Sequence, residues 1–71
     1  MIVYLLTWSD GYDLHRIIGI YSTEDKAWDV AIDEREDQLA KQSIVERDAM
    51  IKFLRGREGC GFWVEAFEVN A

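Results

Sequence analysis

Ile17-Ile18-Gly19-Ile20-Tyr21-Ser22-Thr23-Glu24-Asp25-Lys26-Ala27 decides the fold. Its first five residues are β-branched or aromatic around a single glycine, the composition of a strand. Ser22 follows as a helix N-cap candidate, because its hydroxyl can accept one of the backbone N–H groups that a helix start leaves unpaired. Glu24 and Asp25 place negative charge at the positive end of the helix dipole. Asp25, three residues after Ser22, completes a shortened capping box. A strand over Leu14 to Tyr21 is therefore expected to run directly into a helix.

Upstream, Ile2-Val3-Tyr4-Leu5-Leu6-Thr7-Trp8 reads as a first strand. Ser9-Asp10-Gly11 is a turn-forming cluster, and the short connection makes the two strands an antiparallel hairpin. Downstream, no glycine occurs from Thr23 to Arg55 and the whole chain has no proline. A single helix over those 33 residues would be roughly 50 Å long, whereas a seven-residue strand spans only about 23 Å. A break near Gln42 relieves the mismatch, and Ser43-Ile44-Val45-Glu46 reads as a capping box that starts a second helix. The alternative is one continuous helix whose far end packs on another protomer. Gly56 to Gly61 carries three glycines and reads as the exit loop, and Phe62 to Val69 as a third strand. The expected fold is α+β, a single domain over residues 1–71 with the order β-β-α-(α)-β. A right-handed crossover places the third strand beside the first, in an antiparallel sheet of order 2-1-3.

Hydrophobic residues make up 49% of the chain, too many for an intrinsically disordered protein. No apolar run approaches the roughly 20 residues of a membrane helix, and the first residues have no basic segment or cleavage site of a secretory signal. The single cysteine excludes an intrachain disulfide and points to a reducing, cytoplasmic setting. A formal charge of −6 disfavours direct contact with nucleic acid or use of the aromatic strands as a base-stacking platform. No Cys/His cluster is spaced for a metal, so neither metal nor cofactor is expected.

Residues 22–42 contain seven acids and three bases, and Asp25, Asp29, Asp33 and Asp37 recur every fourth residue. With Glu36 they form an acidic stripe opposite the apolar arc of Ala27, Trp28, Val30, Ala31, Ile32 and Leu39. Such stripes are most often solvated helix faces. Carboxylates repeating every turn lie about 6 Å apart, near the spacing of nucleic-acid phosphates, so the stripe is the candidate partner-binding surface. In the second helical segment Ile44, Met50, Ile51, Phe53 and Leu54 spread around most of the circumference and call for cover on more than one side. They are the candidate interface of a homodimer. The strands add to this: Ile2, Tyr4, Leu6 and Trp8 share one face of strand one, Val3 and Leu5 the other, and strand three is apolar on both faces. Either the second helix wraps over the far face or a second subunit covers it.

The remaining chemistry-bearing residues read blandly. His15 lacks a nucleophile or second acid near it in sequence and reads as a surface histidine. Cys60, between Gly59 and Gly61, reads as a turn residue. The glycines of 56–61 follow a helix and precede a strand, the reverse of a phosphate-binding loop. Asp10 and Asp13 lack a full ligand set for a hard cation and read as turn residues. No enzyme is expected.

Val3-Tyr4-Leu5-Leu6, the stretch from Ile17 to Ala27 and the closing Phe62 to Val69 resemble a group of short phage and prophage proteins with a strand, a second strand ending in a Gly-Ile-Tyr-Ser-like motif, a capped helix and a terminal strand. The resemblance covers residues 2–32 and 62–69, and the segment Leu39 to Gly61 departs from it as an added element. It implies a small accessory protein that binds and inhibits a bacterial protein, including components of anti-phage defence, by steric or electrostatic blockade in the host cytoplasm. The alternative expectation is a protein that binds or sequesters a small ligand in a pocket at a homodimer seam.

Overall fold

The computed structural model describes residues 1–56 and 60–70. Six elements follow in chain order: β1 (Ile2–Asp10), β2 (His15–Tyr21), α1 (Glu24–Glu34), α2 (Glu36–Lys41), α3 (Arg47–Arg55) and β3 (Cys60–Glu68). The sheet is antiparallel in the order β2-β1-β3, so the α+β class and the strand order are those expected from sequence.

The hairpin turn is organised by Asp10. Its carboxylate accepts from the backbone N–H of Tyr12 at 2.8 Å and of Leu14 at 3.2 Å, while the Ser9 hydroxyl accepts from the N–H of Gly11. Gly11 sits at φ 84°, in the left-handed region that favours glycine. These side-chain bonds let β1 run two residues beyond Trp8 before it turns. β2 then pairs with β1 with a shift in register between Leu6 and Thr7, since Leu6 faces Gly19 and Thr7 faces Ile17. The extra residue is Ile18, half-buried and packed on the core. Beyond the bulge the alternation of β2 is reversed, which puts Ile17 on the far face and Arg16 opposite Trp8. Arg16 there reaches Glu34 of α1 at 3.4 Å.

The entry to α1 is one residue later than the sequence suggested. Ser22 turns the chain away from the sheet, and Thr23, extended at φ −136° and ψ 155°, is the N-cap. Its hydroxyl accepts from the N–H of Lys26 at 3.2 Å, whereas the Ser22 hydroxyl meets the Lys26 ammonium.

The helical stretch is broken twice. The first break, at Arg35, has no glycine or proline to mark it; φ −123° and ψ 25° interrupt the helix there. The Arg35 guanidinium lies 5.3 Å from the Phe62 ring centroid and 5.9 Å from that of Trp8, close enough for cation–π attraction to both. The second break falls at the expected place for a different reason. Ser43 does not cap a following helix; it sits at φ 56° and closes the preceding one. The N–H of Ile44 bonds to the Leu39 carbonyl at 3.1 Å and that of Ser43 to the Ala40 carbonyl at 3.0 Å, the Schellman pattern. Leu39 and Ile44, the pair this motif brings together, both belong to the core or pack on it. α3 starts four residues after Ser43, with Glu46 at the cap position and no side-chain cap bond.

The core is one cluster of Leu6, Ala27, Trp28, Ala31, Leu39, Leu54 and Phe62. It draws on all three helices and on a single face of the sheet. α3 packs against α1 and β3 on that same face, so the reading in which the second helix wraps over the other face is overturned. Gly56 closes α3 with its N–H on the Phe53 carbonyl, and β3 begins at Cys60, two residues before the expected Phe62. A Cβ on Gly61 would come within 2.6 Å of the Leu54 and Arg55 carbonyls, so the close join of α3 to β3 requires glycine there. Arg57, Glu58 and Gly59 of the expected exit loop lie outside the described residues.

Candidate functional site

Residues opposite one another in an antiparallel sheet point to the same side, so the register assigns each face. Ile2, Tyr4, Leu6 and Trp8 share the helix-covered side with Ala66, Val64 and Phe62 of β3. Val3, Leu5, Thr7 and Ser9 lie on the other side, with Phe67, Glu65, Trp63 and Gly61 of β3 and with Ile20, Ile17 and His15 of β2. Apart from the end of α3 at Arg55, which borders it near Ser9, none of the three helices covers that second side. Ile17 is 68% exposed, Ile20 64%, Trp63 54% and Phe67 45%. Val3 and Leu5 lie half-buried between them along the central strand.

The face is graded along its length. Apolar side chains fill the rows of Val3, Leu5 and Thr7, apart from Thr7 itself and Glu65 on the outer strand, and the row of Ser9 carries only Ser9 and His15 beside Gly61. At that polar end lies a shallow pocket of about 570 Å³ whose lining includes Thr7, Ser9, His15, Trp63, Glu65 and Arg55. It gathers two hydroxyls, an imidazole and a carboxylate beside an indole, while the Arg55 guanidinium lies over the Trp28 ring on the helix-covered side, 5.5 Å from its centroid. Among the described residues no hydrogen bond joins His15, Ser9, Cys60 or Glu65 to another of the four; the Ser9 hydroxyl accepts from the N–H of Gly11. Nor, among the described residues, do three or more His, Cys, Asp or Glu side chains gather as metal ligands.

Asp25, Asp29, Asp33, Glu36 and Asp37 are all exposed, but they do not form one uniform stripe. Arg47, at the start of α3, bonds the Asp29 carboxylate and the Asp25 backbone carbonyl, and lies 3.9 Å from the Asp25 carboxylate. Asp25 and Asp29 thereby help fix α3 on α1. Asp33 follows on α1 beyond them, while Glu36 and Asp37 sit past the break at Arg35, in the first turn of α2. There they oppose the helix dipole favourably. Asp33, Glu36 and Asp37 have no ion pair among the described residues.

The residues proposed from sequence for a dimer contact lie mostly inside the molecule. Leu54 is 4% exposed and belongs to the core; Ile44, Met50 and Ile51 pack on it half-buried, and only Phe53 of the five is exposed. The wide apolar circumference of this segment reflects burial between α1 and β3, together with Ile44 as part of the turn before the helix. The sequence pattern marks Val3, Leu5 and both faces of the third strand as apolar, but it does not place Ile17 and Ile20 on this side. Those two reach the open face together only through the bulge at Ile18, whose one sequence signal is the isolated glycine beside it, Gly19.

Among the described residues no helix is long and apolar enough to cross a membrane. A family model described as a domain of unknown function (DUF7336) matches residues 1–54. The match takes in the hairpin, α1, α2 and nearly all of α3, so most of the segment from Leu39 that departed from the phage-protein resemblance lies inside the family pattern. β3 lies beyond the matched residues. No curated protein and no solved structure matches the chain.

Proposed function

The chain belongs to the DUF7336 family, and we propose that it is a non-catalytic binding protein that blocks a bacterial protein by covering it with the open face of its sheet. One observation carries this reading: Ile17, Ile20, Trp63 and Phe67 stand exposed together on a sheet face that no helix covers. Contiguous apolar surface of this kind is characteristic of association sites, and the aromatic Trp63 and Phe67 are the residue types that anchor them. The bacterial target and the inhibitory outcome come from the resemblance to phage accessory proteins. The acidic helix side contributes through Asp33, Glu36 and Asp37, whose carboxylates can steer a basic partner. Asp25 and Asp29 serve the fold through Arg47.

The test compares three purified forms as bait for bacterial proteins: the natural chain, Ile20→Lys with Trp63→Lys, and Asp33→Lys with Asp37→Lys. Loss of the bound protein in the first double variant and its weakened retention in the second supports the reading. Loss only on charge reversal moves the contact to the helix side, and equal binding by all three overturns both.

A second reading is favoured by the pocket at the Ser9 end. A second copy lying over the open face would close it into a cavity lined by His15, Glu65 and Trp63, a seam for a small ligand with both polar and aromatic surface. Quenching of Trp63 fluorescence by a ligand, abolished by His15→Ala without loss of fold, would identify this use.

A further inference from the structure

The two outer strands of the sheet differ in a way that points to their use. β2 is seven residues long, carries a bulge and places Arg16 at its edge; these features discourage pairing with another strand. β3 runs nine residues, pairs with β1 without a register shift, and has no proline, lysine or arginine along it. Among the described residues, no backbone hydrogen bond outside the β1 ladder uses any residue of β3. Its charges are Glu65 and Glu68, and at its start the Cys60 carbonyl lies against Gly56; the edge beyond that contact is a template for a further strand.

We propose that β3 pairs antiparallel with β3 of a second copy across a two-fold axis at Val64, joining two sheets into one of six strands. Cys60–Glu68 is symmetric about Val64. The axis sets Phe62 opposite Ala66 of the second copy, Trp63 opposite its Glu65, and Val64 opposite its Val64. Phe62 thus faces the small Ala66, two β-branched valines meet on the axis, and no two carboxylates are directly opposed. A two-fold axis at Glu65 would set that carboxylate against itself. The axis is perpendicular to the sheet, so both helical layers fall on one side and both open faces on the other.

Area gives an independent reason for a second copy. A nine-residue strand is roughly 30 Å long and three strands are about 14 Å wide, so one open face offers on the order of 400 Å². Stable complexes bury about 800 Å² on each partner, which the doubled face supplies. This part of the argument rests on the binding role of the open face; the pairing of the edges does not.

Three measurements test the pairing, none of which needs the partner. Light scattering over a wide concentration range is expected to show twice 8.3 kDa. Spin labels on Cys60, the single cysteine and exposed, are expected about 27 Å apart, because eight residues of strand separate the two copies across the axis. Trp63→Glu and Trp63→Lys remove the same indole. The first sets two carboxylates against Glu65 across the seam and the second sets two ammonium groups there, so Trp63→Lys should dimerise about tenfold more tightly than Trp63→Glu. Circular dichroism of both variants should match the natural chain, since Trp63 is an exposed side chain. A monomer at every concentration, a label separation far from this value, or equal dimerisation by the two variants overturns the proposal. Loss of partner capture by Ile20→Lys with Trp63→Lys while the natural chain remains a monomer would sustain the open-face reading and overturn this one.

Discussion

The two faces of the sheet are built from nearly the same residue types and have different fates. One carries Leu6, Phe62 and Val64 beneath three helices; the other carries Leu5, Ile17, Ile20 and Trp63, over which no helix packs among the described residues. Hydrophobic content therefore does not determine which side of a small sheet becomes core. The crossover does, since α1, α2 and α3 all return on one side between β2 and β3. The apolar side chains left on the other side are surplus to the fold and available for association.

Two tryptophans give the sharpest way to break this comparison. Trp28 is 2% exposed at the centre of the core and Trp63 is half exposed on the open face. Trp28→Ala should cost about 3–5 kcal/mol through lost burial and a cavity, enough to unfold much of a domain this small. Trp63→Ala should cost about 1 kcal/mol or less, read from urea unfolding followed by circular dichroism. Comparable losses from the two would mean that the open face is held closed in solution.

A smaller effect of opposite sign is expected at Ser43, which holds the covering helices in place at φ 56°. Glycine takes that conformation without the penalty of a Cβ, so Ser43→Gly should stabilise by about 1 kcal/mol, visible as a rise in melting temperature. If Ser43 were a helix N-cap, as its place in the sequence suggests, the same change would give no gain. Arg47→Ala should remove the tie between α3 and the Asp25–Asp29 side of α1. The groups are substantially exposed, so the loss should be about 0.5 kcal/mol and should shrink in high salt.

The smallest effect on stability belongs to the open face. Ile17→Thr with Ile20→Thr keeps β-branched residues in β2 and should leave the melting temperature nearly unchanged. It should nevertheless reduce binding of a hydrophobic dye, because it removes two of the most exposed apolar side chains from the face. A large drop in stability instead would show that these isoleucines carry packing within the fold.

Much of the architecture was legible locally. The hairpin, the helix start after Tyr21, the break near Gln42 and the third strand each follow from short-range chemistry: β-branched runs, turn residues, capping side chains and the absence of proline. The boundaries moved where two neighbouring residues compete for one role, as Ser22 and Thr23 do at the cap. They also moved where one residue type can serve opposite roles, as Ser43 does. The acidic repeat was legible too, but its use was not, because Arg47 lies 18 residues from Asp29 and meets it only after two turns of the chain.

The sequence by itself determined the order of elements, the strand order and the excess of apolar side chains over what one small core can hold. These rest on periodicity, capping and chain connectivity, all of which act over a few residues or through the crossover rule. Only the tertiary structure decided where that excess lies. The bulge at Ile18 rotates Ile17 outward, the break at Arg35 sets its guanidinium over Phe62 and Trp8, and α3 settles beside α1 with Leu54 in the core. Each is a choice among local conformations of similar energy, made by contacts between residues far apart in the chain. Their sum leaves one face of the sheet open.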